Sequence, residues 1–219
     1  MNWLKRNLLY FLPLLALTAV VSDVQSAVLI DDFSTAQSVM NGSTGPVNVT
    51  GSQLSNLTRI ITATASPNDA ETAVEINNGF LNIYNDFGST GTASIFYSFD
   101  AANLASIADG LLFNIRLIDL SAEIELIANG TSRFDFANIG VQSLYEIEFA
   151  QFSDSSVFSH LISLRLNFRG AEDWDGQFGP LTADSSNVPE PSTLFLLTFG
   201  LGILVYSRGY RVAKNVNVS

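Results

Sequence analysis

The chain has 219 residues, with 21 acidic against 10 basic, one histidine and no cysteine, for a formal net charge of −11. That composition excludes disulfide scaffolding, thiol chemistry and Cys/His metal sites, and its acidity opposes binding to a phosphate backbone, so no nucleic-acid partner is expected. The length admits one domain with a full core plus short targeting segments.

The charge is unevenly placed. Lys5 and Arg6 stand at one end, and Arg208, Arg211 and Lys214 at the other. Between Ala27 and Asn187 there are five arginines, no lysine and nineteen acidic residues, a segment charge of −14. Residues 1–26 have the order of a signal peptide: Lys5-Arg6, an apolar run from Leu8 to Val21, then Val24-Gln25-Ser26 before a cleavage point at Ala27. Such a segment hands the chain to the Sec export machinery and leaves the acidic middle outside.

Residues 27–184 alternate with period two. Ala93, Ile95, Tyr97 and Phe99 fall on one face of a run, as do Leu111, Phe113, Ile115 and Leu117. Ile124 and Leu126 alternate with Glu123 and Glu125, and Tyr145, Ile147 and Phe149 with Glu146 and Glu148. Ile162, Leu164, Leu166 and Phe168 alternate with Ser163, Arg165, Asn167 and Arg169. Each run buries one face and wets the other, as antiparallel strands do. Turn signals separate them: Asn41-Gly42, Asn78-Gly79, Asp109-Gly110 and Asn129-Gly130. The expectation is an all-β domain of roughly ten strands, a two-sheet antiparallel β-sandwich of jelly-roll type, with a short helix around 101–108. A turn over 119–122 would set Arg116 opposite Glu125.

Two places invite chemistry. His160 would have to serve any Ser-His-Asp arrangement, and no Gly-x-Ser-x-Gly accompanies it, so no enzyme is expected. The segment Glu172-Asp173-Trp174-Asp175-Gly176 gathers three carboxylates around the only tryptophan beyond the signal peptide. It admits three readings. Glu172, Asp173 and Asp175 with Asp31 and Asp32 could ligate calcium, a hard cation that prefers oxygen. Trp174 could stack on a sugar ring. Or the loop is solvated, with Trp174 folded onto the core.

Residues 185–187 form a short polar linker to the tail. In Val188-Pro189-Glu190-Pro191 the prolines forbid a helix and enforce extended backbone. The run Thr193–Tyr206 carries no charge, and a helix from Pro191 to Tyr210 would be about 30 Å long, enough to span a bilayer. Arg208, Arg211 and Lys214 then hold residues 215–219 in the cytoplasm.

This ordered tail, residues 188–214, resembles the PEP-CTERM sorting signal of Gram-negative bacteria, with Val188, Pro189, Glu190 and Pro191 as the signature and Arg208 and Arg211 as the basic end. The resemblance implies recognition by exosortase, a membrane-embedded transpeptidase-like protease, and passage through the inner membrane to the cell surface or an exopolysaccharide matrix. The opening strand Val28-Leu29-Ile30-Asp31-Asp32-Phe33 and the strand Ile162–Phe168 with its acidic loop resemble galactose-binding-like and carbohydrate-binding modules. That likeness implies a jelly roll and, as a partner, extracellular polysaccharide. The resulting expectation is a non-enzymatic exported protein. Its alternatives are a polysaccharide-attaching module and a permanently anchored β-sandwich.

Overall fold

The alternation translates into thirteen strands among the described residues, numbered along the chain. The computed structural model describes residues 27–67, 70–140 and 144–185; the expected signal peptide, transmembrane helix and sorting motif lie outside the described residues. One sheet runs β11 (Tyr145–Glu148), β8 (Gly110–Ile118), β13 (Gly176–Asp184), β6 (Phe80–Asn85), β5 (Thr72–Asn77), β2 (Gln37–Met40), with β1 (Val28–Asp31) also paired to β13. The other runs β10 (Ser132–Ile139), β9 (Ala122–Ala128), β12 (Leu161–Gly170), β7 (Thr92–Ala102), β4 (Thr58–Thr64), β3 (Gly42–Asn48). The strand pairs are antiparallel throughout, so the domain is a two-sheet β-sandwich.

The inward residues of both sheets meet in one core. Ile95 and Tyr97 of β7, Leu164, Leu166 and Phe168 of β12, and Leu111 and Phe113 of β8 are all buried. Phe113 stacks on Phe178 at 5.0 Å between centroids, and Phe168 closes against Phe178 at 5.1 Å. Rings from three strands and two sheets thus interlock, each burial contributing about 1.5–3 kcal/mol.

The turns follow their chemistry. Asn77 pairs with Phe80 across the two-residue loop Asn78-Gly79, where both residues have positive φ (51° and 84°). That is the mirror-image turn whose twist matches a hairpin. The outer strands of the six-stranded sheet, β3 and β10, each carry a register shift, at Thr44/Val47 and Phe134/Ala137. Such bulges blunt an edge against further strand pairing.

Several expectations are corrected. β8 and β9 lie in different sheets, so the 119–122 turn crosses between layers and Arg116 does not face Glu125. Arg116 instead lies over the Phe80 ring at 5.6 Å, and Glu125 pairs with Arg133 at 3.3 Å. Register shifts near the ends of β8 and β12 turn Leu117 and Ile162 outward, although simple alternation put them inside. The 101–108 region continues β7 to Ala102 and then makes only a 3-10 turn, Leu104–Ser106.

Candidate functional site

Trp174 is 0% exposed, so it offers no face to a sugar ring. The sugar-stacking expectation fails at this residue for a steric reason. Gly170 and Gly176 flank the loop, and a Cβ at Gly170 would lie 2.5 Å from Trp174 Cγ. The glycines leave room for the indole to fold inward, where its Nε1–H donates to Gly91 O at 3.1 Å. The neighbouring acids then bind backbone. Asp173 N–H donates to Ser89 O at 2.9 Å, and the Asp173 carboxylate accepts from Gly88 N–H. Asp175 Oδ1 accepts from Asn85 N–H at 2.8 Å, and Asp175 N–H donates to Asp119 Oδ1 at 2.7 Å. Trp174 is therefore the hub that ties the loops around 86–91 and 119–121 to its own. Glu172 stays exposed. Burial chiefly, with Asp119 and Asp173 adding repulsion against the lowering effect of Asn85 N–H, pushes the Asp175 carboxyl above its ordinary value.

The other two acids of the expected calcium set are also committed. Asp31 and Arg59 are fully buried and paired, Arg59 Nη1 to Asp31 Oδ2 at 2.6 Å. Tyr97 Oη–H donates to the same oxygen at 2.9 Å, and Phe33 N–H to Oδ1 at 2.8 Å. Arg59 Nε donates to Gln37 Oε1 at 2.9 Å, so the cluster is saturated. Burial and the Asp31 charge push the Tyr97 phenol well above its usual range. Asp32 Oδ1 accepts from Ser34 N–H at 2.9 Å in the turn after β1. Among the described residues no three carboxylates gather to hold a metal ion, so Asp31, Asp32, Glu172, Asp173 and Asp175 do not form the expected cage. His160 is an exposed residue that ends the 3-10 turn Ser155–His160, and its backbone oxygen accepts from Asn129 Nδ2 at 3.0 Å.

What the structure does assemble is a groove on the outer face of the six-stranded sheet. Thr62 of β4, Ser94 of β7 and Asn167 of β12 stand opposite one another in register, and Asn167 stands opposite Glu125 of β9. Thr62, Ser94 and Asn167 line a depression of about 300 Å3, to which Phe136 and Arg169 also contribute. A second depression of about 350 Å3 shares Thr62 and Thr64 and runs on to Asn41 and Gly42. The polar groups are held in place. Asn167 Nδ2 donates to Glu125 Oε2 at 2.6 Å. Arg169 Nε donates to Glu123 Oε2, and its guanidinium lies 3.7 Å from the Phe136 centroid. Sequence alternation marks Ser94, Glu125 and Asn167 as outward, but only strand pairing makes neighbours of positions 62, 94, 125 and 167.

The fold is that of an all-β jelly-roll-type sandwich, flanked by a sorting tail. Residues 187–211 match the PEP-CTERM protein-sorting motif, which implies export in a bacterium of the Gram-negative type with exosortase as the processing partner. No curated protein matches the sequence. Among solved structures, the family 11 carbohydrate-binding module of the cellulosomal cellulase Lic26A-Cel5E of Clostridium thermocellum is similar, with 16% identity over 74% of this chain and 96% of that one and a TM-score of 0.40. The family 11 module from Clostridium thermocellum in complex with a β-1,3-1,4-mixed-linked tetrasaccharide is similar at 14% identity, over 73% and 96% of the two chains, with a TM-score of 0.37. These likenesses are distant, and neither residues nor ligands are carried over from them.

Proposed function

We propose that this chain is a non-enzymatic surface or matrix protein. Sec export begins at its signal peptide, the apolar tail holds it in the inner membrane in transit, and exosortase processes it at Val188-Pro189-Glu190-Pro191. The observation that carries the reading is the match of 187–211 to the sorting motif, in a chain that also opens with a basic, apolar, small-residue leader. Arg208 and Arg211 stop transfer and keep the proline motif on the outer side, where a membrane protease reaches it. The test is to fuse Val188–Ser219 to an exported reporter and compare its mass with and without the host exosortase. A mass loss that depends on exosortase is expected. An unprocessed, membrane-retained reporter in both strains would establish a permanent anchor instead.

A second reading concerns what the sandwich does at the surface: it attaches to extracellular polysaccharide. The grooved sheet face supports it, because hydroxyl, amide and guanidinium groups are aligned there across adjacent strands. No catalytic pair is needed for such a role, and on this face Glu123 and Glu125 are engaged with Arg169 and Arg133.

A further inference from the structure

We infer that the outer face of the six-stranded sheet is a binding site for an extended, uncharged polysaccharide strand that lies across the β-strands and is held by hydrogen bonds rather than by ring stacking. This rests on the polysaccharide reading above and specifies its site, mode and charge class. The groove has the right direction. Its floor runs from Ser43 on β3 through Thr62 and Ser94 to Asn167, perpendicular to the strands. Four strands spaced about 4.8 Å apart span roughly 14 Å, room for a short run of linked sugar rings.

The relief comes from side-chain size. Thr62 and Ser94 are short, whereas two residues back along the strands Ile60, Phe96 and Arg165 form a taller row, itself in register. The chemistry fits sugars because hydroxyls both donate and accept, as Thr62 and Ser94 do. Thr62 Oγ1 already donates to Ser43 Oγ at 3.1 Å, which extends the line to β3. Asn167 and Arg169 add fixed donors. Their anchoring by Glu125, Glu123 and Phe136 means that little side-chain freedom is lost on binding.

The charge class follows from pairing. Arg169 is paired with Glu123 and Arg133 with Glu125, which leaves Arg165 of the bordering row, over the Phe96 ring, as the cation of this wall outside those ion pairs. A domain carrying −14 around a wall with that one cation outside an ion pair repels a polyuronate and tolerates a neutral glycan. The mode follows from the aromatics. The Phe96 ring has the Arg165 guanidinium over it at 4.9 Å, and Phe136 has Arg169, so each ring already has a cation on one face.

The test is native affinity electrophoresis of the full chain in mild detergent, in gels containing hydroxyethyl cellulose, a neutral galactomannan or alginate. Retardation by at least one neutral polymer and by neither alginate nor an empty gel is expected. Asn167→Ala and Arg169→Ala should each weaken that retardation about tenfold, and Ser94→Gln, which fills the floor, should abolish it. Arg116→Ala on the opposite sheet should leave it unchanged. Urea unfolding monitors whether each variant is folded, and any folded member of the three groove variants decides the matter. Retardation by a neutral polymer that the folded groove variants retain would overturn this site while leaving the polysaccharide reading standing. Retardation by alginate alone would overturn the charge class. No retardation by any polymer would overturn both the site and that reading.

Discussion

Removing the guanidinium of Arg59 should cost this domain a large share of its stability. Arg59 and Asp31 are both 0% exposed, and the arginine joins β4 of one sheet to β1 of the other. Arg59→Ala strands the Asp31 carboxylate in the core with only Tyr97 Oη–H and Phe33 N–H as donors. Breaking a buried pair from one side costs about 3–5 kcal/mol. With a urea m-value of about 2 kcal/mol per molar, the unfolding midpoint should fall by about 2 M. Trp174, buried and the only tryptophan beyond residue 26, reports the transition by fluorescence. The double variant Asp31→Asn, Arg59→Met keeps an acceptor for Phe33 N–H and removes both charges, so it should recover more than half of the loss. A midpoint shift below about 0.5 M for Arg59→Ala would refute the reasoning, because it would mean that water reaches the carboxylate.

Two further outcomes follow from the loop hub. Gly170→Ala places a Cβ 2.5 Å from Trp174 Cγ and 2.8 Å from Ser121 O, so it should cost about 1–3 kcal/mol and red-shift the native fluorescence. An unchanged midpoint and spectrum would mean that the indole does not pack there. Asp175→Asn keeps the acceptor for Asn85 N–H while removing the repulsion from Asp119 and Asp173. A carboxyl whose folded value is raised contributes stability below its unfolded value and loses it as pH rises through the folded one. The variant should therefore melt higher than the parent at pH 7, and its advantage should vanish on acidification through the carboxylate range. A lower melting temperature at pH 7, read by thermal scans across pH, would show that the charge is needed.

Local rules were legible in the sequence, and layer assignment was not. Asn78-Gly79 names its own turn because few other pairs accept positive φ at both positions. The run in β7, and that in β12 from Leu164 onward, name their buried faces by alternation alone. Leu117 and Ile162 defeated the same rule because a bulge shifts the face by one residue, and nothing in the side-chain pattern marks the shift. The 119–122 segment shows the larger limit. A short turn between two alternating runs reads equally as a hairpin or as a crossing from one sheet to the other. Choosing between them depends on where β12 and β13 come to lie, some forty residues further on.

The same distinction explains why the acidic loop misled and the groove stayed hidden. Carboxylates clustered in sequence around Trp174 suggest a ligand, yet adjacent residues on a tight loop point in different directions, and here they turn to the backbone of neighbouring loops. Gly170 and Gly176 were the clue, since residues without side chains on both sides of an indole make room for its burial. The groove reverses the relation. Thr62, Ser94, Glu125 and Asn167 are far apart in the chain and individually unremarkable, and antiparallel register brings them into line. A tail, by contrast, works as a contiguous address and is read where it is written, at 187–211. Sorting in this chain is thus encoded locally and surface chemistry non-locally, so the order of residues discloses the destination more directly than the ligand.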